Sequence, residues 1–410
     1  SAESLMNVRA ERFPLVDSLR AIAALSVLAL HAAYFAGMFS SNSVLLPYIA
    51  QAGAGVSIFF AISGFLLYRP FVRARLLDLP PVSARAYGWR RFLRVVPAFW
   101  VALAVIAIWL GSDLWSSREV VRNFGFLQLY YGGAGVIPQA WTLCVEVAFY
   151  ASLPLWAGLM RRMPGRDFEG RLRTELWAVS ALVVGSVAYS AVLVYSHSVR
   201  ATLLFPAAVL SALPGFMDQL GLGMLLAVVS VWVEKRPRGA LPRPLAYLAR
   251  SPSVCWLIAV AAIVAVAQVL GFNIVYTPGE FMARHLADSL IAVAVLIPAV
   301  FGDAREGLVR RVMGNRVLLY LGLISYGFYL YHWAVLEQLR RWKQEGGLGF
   351  LTSSASWFVL GFAGALVAGS LSYYLVERPA LLLKRLVPLR PRQDDEALAE
   401  PAPAAPVSAP

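Results

Sequence analysis

"VDSLRAIAALSVLALHAAYF", residues 16–35, is apolar almost throughout, yet Asp17 and Arg20 stand near its start and His31 near its end. A run of about 20 such residues is long enough to cross a hydrocarbon core as a helix. Ionisable groups inside such a helix are costly, and they mark candidate functional sites. Eleven residues separate Arg20 from His31. At about 100° per residue the two fall about 20° apart around the axis, on one face, with a rise of roughly 16 Å between them. Asp17, three residues before Arg20, is placed to pair with it on that face. The stretch reads as a membrane helix with one polar stripe: a charged pair at one mouth and a histidine about three turns deeper.

The apolar pattern recurs along the chain. Its 410 residues are 59% hydrophobic and 14% charged, with a mean hydropathy of +0.66. A soluble protein of this size needs more polar surface. Candidate spans fall at roughly 15–37, 53–68, 92–111, 140–160, 176–196, 206–232, 252–272, 284–301, 317–337 and 355–376. They predict an all-α, polytopic membrane helical bundle of about ten transmembrane helices, with one membrane domain over 15–385. An even number of spans puts both termini on one side. With the N-terminus inside, every Lys and Arg falls in an inside segment except Arg118, Arg122, Arg200, Arg284, Arg340, Arg341 and Lys343. Basic residues mark cytoplasmic loops, so the segment 1–14 and the C-terminus are both expected in the cytoplasm, at the cell's inner or plasma membrane. The same rule accounts for the net charge of +13, and no nucleic-acid partner is expected. Residues 391–410, rich in Pro and Ala without periodicity, read as a disordered cytoplasmic tail. No cleavable signal peptide is expected before the first helix. The long outer loop 112–139, with Trp115, Tyr130, Tyr131 and "YYGGAG", reads as a partial lid.

Further polar groups interrupt the apolar runs. In "QAWTLCVEVAFY", Glu146 follows Trp141 and Thr142. A buried carboxylate must be paired, protonated or wet. Glu146 is expected to orient or charge-balance His31, as a carboxylate holds an imidazole in other acyl-transfer sites; pairing with an arginine is the structural alternative. In "SIFFAISGFLLYRPF", Ser63 and Gly64 allow close helix approach. In "YGWRRFLRVVPAFW", Arg90, Arg91 and Arg94 stand at the mouth of the third span, with Arg91 and Arg94 on one face. Two guanidinium groups there can hold phosphates, although inside-positive topology alone also places arginines at such a mouth. In "LISYGFYLYHW", His332 sits among Tyr320, Tyr326, Tyr329 and Tyr331 as a supporting candidate, and an interfacial aromatic belt explains Tyr331 and Trp333. Asp218, His285 and Asp288 read as packing or cavity-lining groups, and His197 as a solvated loop residue. The two cysteines, Cys144 and Cys255, form neither a disulfide framework nor a metal pattern. No metal and no permanently bound cofactor are expected.

Together these stretches resemble the integral-membrane acyltransferase family 3, which moves acyl groups from acyl-CoA to sugars and other hydroxyl acceptors. The resemblance covers about residues 12–385. It rests on "DSLRAIAALSVLALH", "GVSIFFAISGFLL", "RRFLRVVPAFW", "WTLCVEVAFY", "ISYGFYLYH" and "SYYLVERP", in that order. It implies that His31 is essential for catalysis and Arg20 supports it, with matching roles for Glu146, Arg91 and Arg94. It implies acyl-CoA, most simply acetyl-CoA, as co-substrate, and a cell-envelope glycan, glycolipid or small glycoside as acceptor. Cys144 departs from the family, where a small polar residue such as Ser is commoner. No cation adjacent in sequence lowers its pKa, so it is not expected to be a nucleophile. No fused extracellular domain is expected within these 410 residues.

On this reading His31 deprotonates the acceptor hydroxyl near an acyl thioester. Arg91 and Arg94 hold CoA phosphates, Arg20 and Ser63 line the approach, and Asp17 and Trp141 support the site. The pantetheine arm matches the Arg20–His31 rise in order of magnitude. Direct attack and a covalent acyl-histidine are both open, as is the side of the membrane on which transfer occurs. The rival function is a transporter or flippase using the same charged groups as a pathway; no inverted repeat or pair of broken helices supports it.

Overall fold

The computed structural model describes residues 13–130, 135–196, 201–202, 208–235, 242–301 and 307–387. Ten long helices build it: α1 Pro14–Phe35, α2 Ala54–Leu76, α3 Ala84–Leu110, α4 Trp141–Arg162, α5 Phe168–Tyr195, α6 Leu213–Glu234, α7 Pro252–Leu270, α8 Pro278–Val300, α9 Arg316–Gln344 and α10 Ser354–Ser372. The protein is an all-α, multi-pass membrane bundle. The expected tail 391–410, most of segment 1–14, His197 and the loop residues Tyr131 to Ala134 lie outside the described residues.

Local signals set the helix ends. Pro14 opens α1 at a position whose N–H needs no partner. Ser83 caps α3 by accepting from Ala86 N, and Gly111 ends it in the left-handed region at φ 62°. Thr277 and Glu280 form a reciprocal capping box at α8, as do Ser353 and Ser356 at α10. Several helices outrun the apolar windows. The structure continues α2 to Leu76 and starts α3 at Ala84, because Arg73, Arg75 and Arg85 extend the turns beyond the oil.

Among the described residues, nine helices are long and apolar enough to cross a membrane. The expected ninth span, α9, is not one of them, although it is 29 residues long. Three of its four tyrosines and its histidine are buried: Tyr326, Tyr329, Tyr331 and His332 face protein. α9 packs between α1 and α10, and this placement allows a polar sequence at membrane depth.

Helix α2 is the centre of the bundle, against α1, α6 and α8. Its crossing with α6 depends on two glycines. A Cβ on Gly64 would lie 1.9 Å from Leu220 O, and one on Gly223 would lie 2.0 Å from Ala61 O. Small residues let membrane helices approach closely. α10 ends in a π turn, Tyr373–Glu377, which leads into Arg378–Leu382 and leaves Glu377 buried. Such turns recur at functional sites. At one end of the bundle lie the arginine-rich connections; this is called the basic end below. At the other, Ala201 and Thr202 pair antiparallel with Tyr276 and Val275, tying two connections together.

Candidate active site

Three adjoining cavities follow the polar stripe of α1. The first, of about 170 Å³, is lined by His31 and Trp333, and also by Gln139, Trp141, Gln219, Arg284, His285 and Asp288. A second, of about 60 Å³, shares Val56 and Tyr329 with it. The third, of about 80 Å³, shares Arg20, Phe59, Glu146 and Tyr326 with the second. They are called the histidine, middle and arginine chambers.

In the histidine chamber, His31 Nδ1 lies 2.8 Å from His332 Nε2, and His332 Nδ1 lies 2.7 Å from the carbonyl oxygen of Tyr329. A carbonyl only accepts, so His332 Nδ1 carries a proton. With both rings neutral, His332 Nε2 is then an acceptor and His31 Nδ1 donates to it. The proton pattern leaves the lone pair on His31 Nε2. Trp333 packs edge-on against the His31 ring at 4.8 Å and fixes its plane. Gln139 Nε2 donates to Tyr329 O and Leu330 O at 2.9 and 3.0 Å, which secures the same turn of α9.

The structure corrects one expectation here. Glu146 does not hold His31: its oxygens accept from Ser63 Oγ at 2.9 Å and Tyr150 Oη at 2.6 Å. Glu146 lies five residues after Trp141, about 7.5 Å further along α4, at the depth of Arg20. The imidazole's partner is His332, 301 residues away in sequence. Nor do Asp17 and Arg20 form an ion pair among the described residues; Asp17 is exposed and acts on Arg20 only at longer range.

Arg20, Arg91 and Arg94 line the arginine chamber together with Ser63 and Glu146. Arg94 is tied to Glu377 at 3.3 Å. Arg20 Nε and Arg91 Nε are buried without hydrogen-bond partners among the described residues. Ser63 spends its hydroxyl proton on Glu146. Glu377, in the quoted "SYYLVERP", had no role assigned from sequence. The signal was there: a carboxylate in an apolar stretch needs a cation. Removing one partner of a buried pair leaves the other uncompensated. Glu377→Ala is expected to cost about 3 kcal/mol, read as a lower melting temperature in detergent. Arg94→Ala/Glu377→Ala should recover part of it. Melting of Glu377→Ala at the wild-type temperature would show the pair to be dispensable.

The far wall of the histidine chamber was read from sequence as packing or cavity lining, and the second description holds for His285 and Asp288. His285 Nε2 lies 3.0 Å from Asp218 Oδ2, and Asp218 also accepts from Ser289 Oγ at 2.7 Å and Ser186 Oγ at 3.2 Å. Gln139 Oε1, Gln219 Oε1 and Arg284 Nε are buried without partners among the described residues. Buried polar atoms are normally satisfied, so these three are hydrogen-bonding capacity held at a cavity wall. Trp141 packs on Phe216, and both line the chamber. Cys144 is buried, with its thiol 3.6 Å from Ala140 O, and lines none of the three chambers. No cluster of three or more His, Cys, Asp or Glu able to hold a metal occurs among the described residues.

The chain resembles known proteins over most of its length. The chain is 29% identical over 427 residues to acyltransferase MdmB of Streptomyces mycarofaciens, covering 96% of this chain and 98% of the relative. It is 25% identical over 393 residues to nodulation protein 10 of Rhizobium leguminosarum bv. viciae, covering 90% and 93%. No solved structure matches the chain. The family defined by the acyltransferase domain, Acyl_transf_3, matches residues 14–374, nearly the whole membrane bundle, and the chain belongs to that acyltransferase family.

Proposed function

We propose that the protein transfers an acyl group, most simply acetyl, from acyl-CoA to a hydroxyl of a cell-envelope glycan, glycolipid or small glycoside, with His31 as general base. One observation carries the reading. The chain Tyr329 C=O, His332, His31 leaves a basic nitrogen at His31 in a chamber that adjoins, through a narrow waist, a pocket lined by three arginines.

Inside-positive topology sets the basic end, and both termini, in the cytoplasm. Acyl-CoA enters there, with its phosphates at Arg20 and Arg91, and Arg94 is held in place by Glu377. Glu146 balances the guanidinium charge and fixes Ser63 and Tyr150 in the chamber wall. The pantetheine arm passes Tyr329 and presents the thioester to His31. The acceptor enters the histidine chamber from the opposite end, where Trp141 and Trp333 supply apolar faces. His31 Nε2 takes the hydroxyl proton as the oxygen attacks the thioester carbonyl. The tetrahedral intermediate expels the CoA thiolate, which recovers the proton from His31. His332 plays the part that a carboxylate plays in other acyl-transfer triads: it fixes the tautomer and orientation of the base.

The test is purified protein with labelled acetyl-CoA and an envelope glycolipid extract. Labelled, acceptor-dependent product is expected, and failure to transfer from any acyl-CoA overturns the donor assignment. Acylated protein that accumulates after CoA release and before acceptor is added would replace direct attack with an acyl-histidine. His332→Ala is expected to lower the turnover number by ~10²-fold while leaving acyl-CoA affinity unchanged. A turnover within a factor of two of wild type would remove His332 from the relay.

A further inference from the structure

A separate cavity of about 370 Å³ opens toward the basic end, and none of the three chambers uses it. We infer that this cavity, with the Arg161 guanidinium at its wall, holds the nucleotide end of the acyl donor and reads its 3′-phosphate. The inference rests on the acyl-CoA reading above.

Position is the first argument. The arginine chamber touches α2 at Leu66 and Leu67, α3 at Arg91 and α4 at Tyr150. The larger cavity touches α2 at Phe71 and Arg75, α3 at Ala84, and α4 at Pro154 and Arg161. It shares no lining residue with the arginine chamber but lies one to three turns further toward the basic end along the same three helices, with α5 adding Arg171 and Glu175 to its wall. Along α2, Ser57 lines the histidine chamber and Phe71 lines this cavity; fourteen residues give a rise of about 21 Å. The pantetheine arm is used up over the roughly 16 Å between His31 and Arg20. The diphosphate then lies at the arginine chamber, and the adenosine must lie beyond it.

Charge is the second argument. Arg75 is buried and fully engaged, 3.1 Å from Glu175 Oε1 and 3.1 Å from Arg171 O. The other Glu175 oxygen accepts from Tyr68 Oη. Arg171 is bound to Asp78. Both carboxylates at the cavity are thereby neutralised by arginines within its wall. Arg161, exposed at the last turn of α4 and lining the cavity, makes no ion pair among the described residues and is the cation left for a ligand. A guanidinium matches a phosphate monoester in geometry and charge. Pro81 and Val82 add an apolar surface for a base. The volume is within the range of small-molecule sites.

The experiment compares CoA with 3′-dephospho-CoA on purified full-length protein in detergent, by calorimetry. Wild type is expected to bind CoA about tenfold more tightly, the effect of one charged hydrogen-bonded contact. Arg161→Gln should bind both ligands alike, at the wild-type affinity for 3′-dephospho-CoA. S-acetyl-pantetheine, which lacks the nucleotide, should bind wild type and Arg161→Gln equally. An Arg161→Gln protein that keeps the full preference for CoA overturns the inference and leaves the donor reading standing. Wild type that binds no CoA at all overturns the donor reading itself.

Discussion

His31→Ala is expected to reduce acyl transfer by at least ~10²-fold, to the detection limit of a labelled-acetyl assay. The variant should remain monodisperse on size exclusion. The argument is one of proton inventory. His332 Nδ1 is committed to the Tyr329 carbonyl and His332 Nε2 to His31. His285, the other imidazole at the chamber wall, turns Nε2 toward Asp218. Once His31 is gone, neither ring offers the same free lone pair at the same place. The loss of fold stability should be small by comparison: one neutral hydrogen bond disappears and His332 Nε2 is left open to water, a cost of about 1–3 kcal/mol. Transfer by His31→Ala at the wild-type rate would end the proposal that His31 is the base.

Gly64→Leu is expected to have the largest effect on folding. Its first added carbon would sit 1.9 Å from a backbone oxygen of α6, and backbone cannot swing aside as a side chain can. Overpacking costs about 1–3 kcal/mol when side chains can yield, so this substitution belongs at or above the upper end of that range. α2 and α6 would have to separate, which would also pull Ser63 from Glu146. The comparison is Gly185→Ala on α5, where a Cβ meets nothing within 4 Å. That variant should melt at or slightly above the wild-type temperature, since Ala is the better helix former. Equal melting of Gly64→Leu and Gly185→Ala in the same detergent would refute the close crossing.

The helices were legible because an apolar run of the right length has few other fates. Their basic ends were not, since Arg73 and Arg85 carry no hydrophobic signal and extend helices that are already nucleated. Arg20 and His31 could be placed on one face from spacing alone, because both lie on one helix. The partner of His31 could not. His332 was among the candidates, but nothing local distinguishes an imidazole that binds a ring from one that sits in an aromatic belt. Glu146 was the more familiar chemistry for that place, and only the depth of α4 in the bundle assigns it to Ser63 and Tyr150. Arg94 illustrates the same limit: its face was readable, but its pairing with Glu377 depends on a π turn nearly 300 residues downstream, which sequence periodicity does not encode.

The polarity of α9 bears on how the protein is made. A segment enters lipid according to its own transfer free energy, and the middle of α9 sets tyrosines and a histidine among its leucines. In the finished bundle it is shielded by α1 on one side and α10 on the other. α1 is synthesised first and α10 last. The histidine pair therefore forms only once α9 has docked on α1, with α10 covering its other side. A chain made only as far as α8 holds His31 without His332, so the tautomer of His31 is fixed only after α9 joins the bundle.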